Sequence, residues 1–181
     1  MKIKKLLETH IKKKQTLLGV GPMSKNCVDA SIEISDNYNI PLMLIASRRQ
    51  VDSKEHKGGY VENWNTETFS KYVKKKTKRN KIILCRDHGG PWQNNIELNR
   101  NLTLRKAMTS CKLSYMKDID NDFKIIHIDP SISPQKNKVV SKKNILSRAF
   151  ELMEFCHDYA RKKGKKILIE VGTEEQSGST N

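Results

Sequence analysis

Three segments of the chain end in side chains that can move a proton or hold a metal. "KIILCRDHGGP" (81–91) ends in Asp87-His88 and then Gly89-Gly90. "FKIIHIDPS" (123–131) carries His127, Asp129 and Ser131. "KKILIEVGTEE" (165–175) carries Glu170, Thr173, Glu174 and Glu175. Carboxylates and imidazoles brought together can ligate a divalent cation, which would polarise a carbonyl and stabilise an enediolate. A carboxylate beside it can protonate or deprotonate the reacting carbon or hydroxyl. One histidine at a strand end is more often a hydrogen-bonded structural residue. Three successive segments ending alike carry more weight, because alternation along a strand turns only every second residue to one face.

A fourth segment, "SRRQVDSKEHKGGYVENW" (47–64), offers Arg48, Arg49, Gln50, Asp52, Lys54, His56 and the pair Gly58-Gly59. Arginine and lysine suit a phosphate, and paired glycines allow close backbone approach or a hinge. The competing reading is an ordinary solvent-exposed loop.

The elements that must position these groups are legible. Five short apolar runs, 16–21, 41–47, 81–87, 123–129 and 165–172, have the length of buried parallel strands. Helical patterns lie between them. In 141–164, Ile145, Ala149, Leu152, Met153, Cys156 and Tyr159 form one stripe, Ser141 can cap the start and Gly164 the end. Segment 104–116 repeats the pattern through Leu104, Met108, Cys111 and Tyr115, and 24–37 and 66–79 open at Ser24 and Thr66. The last three strands recur about every 41–42 residues, which makes the class α/β with a parallel sheet. An open doubly wound sheet and a (β/α)8 barrel both fit. The barrel needs eight strands, so this chain would hold about the first five as a single partial domain, 1–181.

Composition narrows the class. With 181 residues, 36% hydrophobic and 30% charged, the chain reads as one rather polar globular domain. No apolar run approaches the roughly 20 residues of a membrane span, and the basic N-terminus lacks the core and cleavage site of a signal peptide. A cytoplasmic protein without a membrane partner is expected. The four cysteines, Cys27, Cys85, Cys111 and Cys156, are widely spaced, as small buried hydrophobes would be. The net charge of +15 is concentrated in "KKK" (12–14), "KKKTKRNK" (74–81) and "RKKGKK" (161–166), each just before a strand. That places it at the N-terminal end of the sheet, opposite the usual ligand end, as a solvated rim. No aromatics interleave with the lysines, so nucleic acid is not an expected partner.

The motifs "RRQVD…GGY", "RDHGGP", "IIHIDPS" and "VGT-E", in this order, resemble the accessory subunit family of class II D-tagatose-1,6-bisphosphate aldolase, formerly labelled tagatose-6-phosphate kinase. The resemblance runs from Leu17 onward. It implies a TIM barrel, of which this chain is about the first half, and a non-catalytic subunit supporting a catalytic aldolase partner in galactitol and N-acetylgalactosamine breakdown. By analogy with the related aldolases, His88 is a zinc ligand and Asp87 the proton-transfer residue. Glu174 joins Asp87 as a catalytic candidate, and the other two zinc-binding histidines lie on strands absent here. Arg49, Gln50, Asp52, Gly59, His127, Asp129 and Ser131 are the expected contacts to a phosphorylated sugar. Arg86 and Gly89 depart from the family's Gly and Leu, Arg49 replaces Asn, and about four extra residues, Ser53 to His56, lengthen the loop before Gly58. Pro130 follows Asp129, and "GTEEQSGSTN" loses the Val-Pro expected after Glu174. Two other readings are a self-sufficient metal-dependent aldolase or epimerase, and an inactive half-barrel. A kinase is disfavoured by the lack of a G-x-x-x-x-G-K-[ST] phosphate loop.

Overall fold

The computed structural model describes residues 3–134 and 140–172. The strands are β1 (Leu18–Val20), β2 (Leu42–Ser47), β3 (Ile82–Asp87), β4 (Ile125–Ile128) and β5 (Leu168–Val171). The helices are α1 (Ile3–Lys12), α2 (Lys25–Tyr38), α3 (Thr66–Lys76), α4 (Asn95–Asn99), α5 (Leu104–Asp120) and α6 (Lys142–Lys162). All strand pairs are parallel and the order across the sheet is β1-β2-β3-β4-β5. A doubly wound sheet reverses direction at a switch point, which this order lacks. Consecutive right-handed crossovers place every connecting helix on the same face. The architecture is therefore that of a partial (β/α)8 barrel, five strands long.

Alternation then sorts the strand residues. Leu42, Leu44, Ala46, Leu84, Ile126 and Ile128 pack under the helices with Val28, Phe69, Met108, Cys111, Tyr115, Leu152 and Cys156. Met43, Ile45, Ile83, Cys85, Ile125 and Leu168 face the opposite, inner side. There they meet Ile3, Leu6 and Leu7 of α1, a helix the basic N-terminal sequence does not announce. Burying an aliphatic side chain is worth about 1.5–3 kcal/mol. The exposed Lys4–Glu8 pair of α1, at 4.0 Å, is worth at most about 1. Apolar contact thus docks this helix.

The caps follow the sequence closely. Ser24 and Ser141 accept from the backbone N–H groups of Cys27 and Asn144. Helix α3 is capped one residue earlier than the Thr66 signal suggests, by Asn65 in a reciprocal box with Thr68. In the loop before Gly58, Lys54–His56 form a 3-10 turn preceded by Ser53. His56 is buried there, with its ring nitrogens 2.7 Å from Ser53 Oγ and 2.6 Å from Ser110 Oγ of α5.

Candidate active site

Strand register builds a polar row across the inner face. Ser47 is level with Asp87, and His127 with Glu170. The Cys85–Ile125 pairing carries Asp87 to the level of His127. The row Ser47–Asp87–His127–Glu170 sits one layer above Ile45, Cys85, Ile125 and Leu168, at the C-terminal ends of the strands. This is the end where barrels place their ligands.

At the centre of the row, Asp87 Oδ1 lies 3.6 Å from His127 Nδ1, and Oδ2 lies 3.8 Å from His88 Nε2. The two rings meet edge to face at 6.1 Å. His88 takes a left-handed backbone conformation, φ +42°. Such a conformation costs of order 1–3 kcal/mol in a non-glycine residue and concentrates at functional sites. His127 Nδ1 also lies 3.2 Å from the His88 backbone N–H. A bare Nδ1 accepts that N–H, whereas a protonated Nδ1 turns to the Asp87 carboxylate. Protonation therefore selects between two partners.

The Asp87 carboxylate beside the ring raises the His127 pKa, against the opposing effect of burial, and the charges of Glu170 and Asp129 assist it. Burial pushes the Asp87 carboxyl up, but the neighbouring His127 and His88 rings outweigh it, and the net shift is downward. The raised imidazole stabilises the fold fully below its unfolded pKa, and that stability is lost as pH rises through the folded value. The lowered carboxyl stabilises above its unfolded pKa, and that stability is lost as pH falls through its folded value. The pair is worth most between the two. In a histidine-ring NMR titration, His127 is expected to titrate above the ordinary 6.5. Asp87→Asn should move the midpoint downward. An unmoved midpoint would show that Asp87 does not hold this proton.

The other sequence candidates scatter. Asp129 and Ser131 stay beside the pair, and Asp129 is buried, accepting from Ser131 N at 3.0 Å and from Gln93 Nε2 at 2.8 Å. Gln50 is buried at the end of β2, where its Oε1 accepts from Ser47 N at 2.9 Å and its Nε2 lies 3.0 Å from Met23 Sδ. Gly59 packs backbone to backbone, since a Cβ there would sit 2.0 Å from Gln50 O. Arg49 is exposed. Asp52 does not join the row. It is fully buried, accepting from Arg48 Nε at 3.0 Å, Asn94 Nδ2 at 2.7 Å, Ser53 N at 2.7 Å and Ser114 Oγ at 2.5 Å. Arg48 and the charge of its neighbours hold its carboxyl far below the usual range despite the burial. Glu174 lies outside the described residues.

A buried ionic layer behind the row is what the motifs alone do not reveal. Arg48 donates to Asp52, to Gly90 O at 2.8 Å and to Glu97 Oε1 at 2.7 Å. Glu97 Oε2 accepts from Trp92 N at 2.5 Å. Together they grip both ends of the Gly90–Trp92 turn that follows His88. Arg86 is fully buried against Asp118, with Nε–Oδ2 at 2.7 Å and Nη2–Oδ1 at 2.6 Å. Its parity with Leu84 was the available signal: in "KIILCRD" Arg86 must point away from Asp87, into the helix layer.

Among the described residues, no three His, Cys, Asp or Glu side chains are placed to hold a metal ion. His88 and Asp87 by themselves do not fit zinc. No helix among the described residues is long and apolar enough to cross a membrane.

A series of five consecutive parallel strands with a carboxylate–imidazole pair at their C-terminal ends is a partial (β/α)8 barrel with a polar row on the ligand-binding rim. Residues 3–177 match the family described as D-tagatose-1,6-bisphosphate aldolase subunit GatZ/KbaZ-like, and the chain belongs to that family. The fold is similar to the crystal structure of a probable tagatose 6 phosphate kinase from Sinorhizobium meliloti 1021, with TM-score 0.72 and 20% identity, over 88% of this chain and 39% of that one. This chain thus spans well under half of that relative's length. It is also similar, at TM-score 0.50 and 12% identity, to a hypothetical protein from Ruminiclostridium thermocellum ATCC 27405, over 86% of this chain and 96% of that one. No curated protein matches the sequence.

Proposed function

We propose that the chain is a subunit of a class II, metal-dependent ketose-bisphosphate aldolase in the cytoplasm. Its role is to support a catalytic partner in carbohydrate breakdown, with tagatose 1,6-bisphosphate or a related phosphorylated sugar as substrate. Family membership gives the direction, and the name of the Sinorhizobium relative points to the same sugar. The observation that carries the reading is the Asp87–His127 pair, half-open on the rim where barrel ligands bind. Asp87 holds or passes the proton, and His127 fixes the carboxylate and shares its charge. The exposed Arg49 at the end of β2 is available to a substrate phosphate.

A second reading, a self-sufficient aldolase or epimerase, is favoured by the same pair, because a carboxylate beside an imidazole is a complete proton relay. Gel filtration with a class II aldolase catalytic subunit from the same genome tests the first reading. Co-elution, with a longer half-life of aldolase activity on heating, is expected. Separate elution and an unchanged half-life would count against it.

A further inference from the structure

A cleft of about 530 Å³ lies between the starts of α5 and α6. Its described lining comes from the segment between β3 and α5 and the segment between β4 and α6, away from the open edge of β5. No member of the strand-end row is among those lining residues, and none of them is a carboxylate. Arg148 brings the one charge. Its Nη1 donates to Pro130 O at 3.1 Å and Ile132 O at 3.2 Å, and the guanidinium stands 5.3 Å over the Trp92 ring. Its Nε is buried without a hydrogen-bond partner, the one such side-chain nitrogen or oxygen among the described residues.

The other inward-turned arginines differ. At Arg48 and Arg86 burial lowers the pKa, and the facing carboxylates more than restore it. At Arg148 burial acts alone and the pKa falls. A cation drawn from water without a counterion is costly, and an oxyanion from outside relieves that cost. The two helix starts add to the demand. Neither α5 nor α6 has an acidic residue in its first turn, and Thr103 at the N-cap of α5 makes no side-chain cap bond. Arg105, Lys106, Lys142 and Lys143 stand there instead, against the helix dipole. We propose that this cleft binds a small phosphate monoester, its phosphate beside Arg148, with the Thr103 and Ser141 hydroxyls and the Asn144 amide as neutral donors. Several donors around one guanidinium suit a phosphate better than a carboxylate. A cavity of this size takes a small organic molecule, and Leu102, Leu104 and Val140 are left to its carbon body. The assignment does not depend on the aldolase reading.

The test is isothermal titration calorimetry of the chain with glycerol 3-phosphate, with glycerol and glycerate as comparison probes. Glycerol 3-phosphate is expected to bind, more weakly as salt is raised. Glycerate should bind more weakly than the phosphate, and glycerol not at all. Arg148→Gln should weaken binding by about tenfold or more, the loss of a charged donor. Thr103→Asp with Asn144→Asp supplies the carboxylates that the two helix starts lack. It should keep or raise the melting temperature, yet weaken binding by about tenfold or more. Gln15→Glu with Asn26→Asp, exposed residues outside the cleft with the same change of net charge, should leave binding unchanged. So should Arg49→Gln, at the end of β2. The proposal is overturned by no binding, by glycerate binding as tightly, by full affinity in the Thr103→Asp with Asn144→Asp variant, or by an equal loss in the Gln15→Glu with Asn26→Asp variant. A loss in Arg49→Gln would place the phosphate at the end of β2 and overturn it equally.

Discussion

Replacing Arg86 with methionine is expected to lower the unfolding free energy by about 3–5 kcal/mol, the cost of leaving one member of a buried ion pair alone. Arg86 makes the two short hydrogen bonds to the Asp118 carboxylate, with Thr66 Oγ1 further off at 3.5 Å, and both charged groups are fully buried. The same guanidinium donates to Ala46 O at 2.7 Å and Val51 O at 2.8 Å, tying β2 to the segment that follows it. It also stacks 5.2 Å over the Phe123 ring. Methionine fills part of the volume and satisfies none of the acceptors. Urea denaturation followed by circular dichroism measures the loss. The double variant Arg86→Met with Asp118→Leu should lose less than Arg86→Met alone, because removing both charges removes the desolvation penalty. A single variant within about 1 kcal/mol of the parent would show that the pair contributes nothing beyond packing.

Gly89→Leu is expected to cost about 3 kcal/mol or more, at or above the upper end of overpacking effects. A Cβ at Gly89 would lie 2.2 Å from His127 O and 2.7 Å from the Tyr115 ring. Both neighbours are fixed: the His127 carbonyl belongs to β4, and Tyr115 is fully buried and donates its hydroxyl to that carbonyl at 3.2 Å. Any accommodation must therefore move the turn, and with it Asp87 and His88. At Gly90 a Cβ would lie 1.9 Å from Asp129 O, and φ is +157°. The expected signature of Gly89→Leu is a lower melting temperature together with loss of the raised His127 titration midpoint. Unchanged stability would mean that the turn is free to shift and does not hold the site.

Much of the architecture was legible because period-two and helical patterns are local. The five strands lie within the expected runs, with β1 shortened to three residues. The doubly wound alternative stayed open because sheet order is not local. Only the pairing of consecutive strands excludes it. Asp87 and His127 were legible as candidates, because polar residues ending apolar strands are conspicuous. The burial of Asp52 was not legible, since a carboxylate in a Gly-rich, charged loop reads as exposed. Its partners, Asn94 and Ser114, come from 42 and 62 residues further along the chain. The pairing of Arg48 with Glu97 escaped for the same reason, the two being 49 residues apart. The helix α1 was hidden by its lysines, which point outward while Ile3, Leu6 and Leu7 cover the inner face.

The most direct measurement is the rate of tagatose 1,6-bisphosphate cleavage by the catalytic class II subunit, titrated with this chain and with its Asp87→Asn and His127→Gln variants. A subunit that supports the partner through the strand-end row raises the rate saturably, and both variants raise it less. A rate that stays flat through the titration, or rises equally with the parent and both variants, would contradict a role for the Asp87–His127 pair in an aldolase.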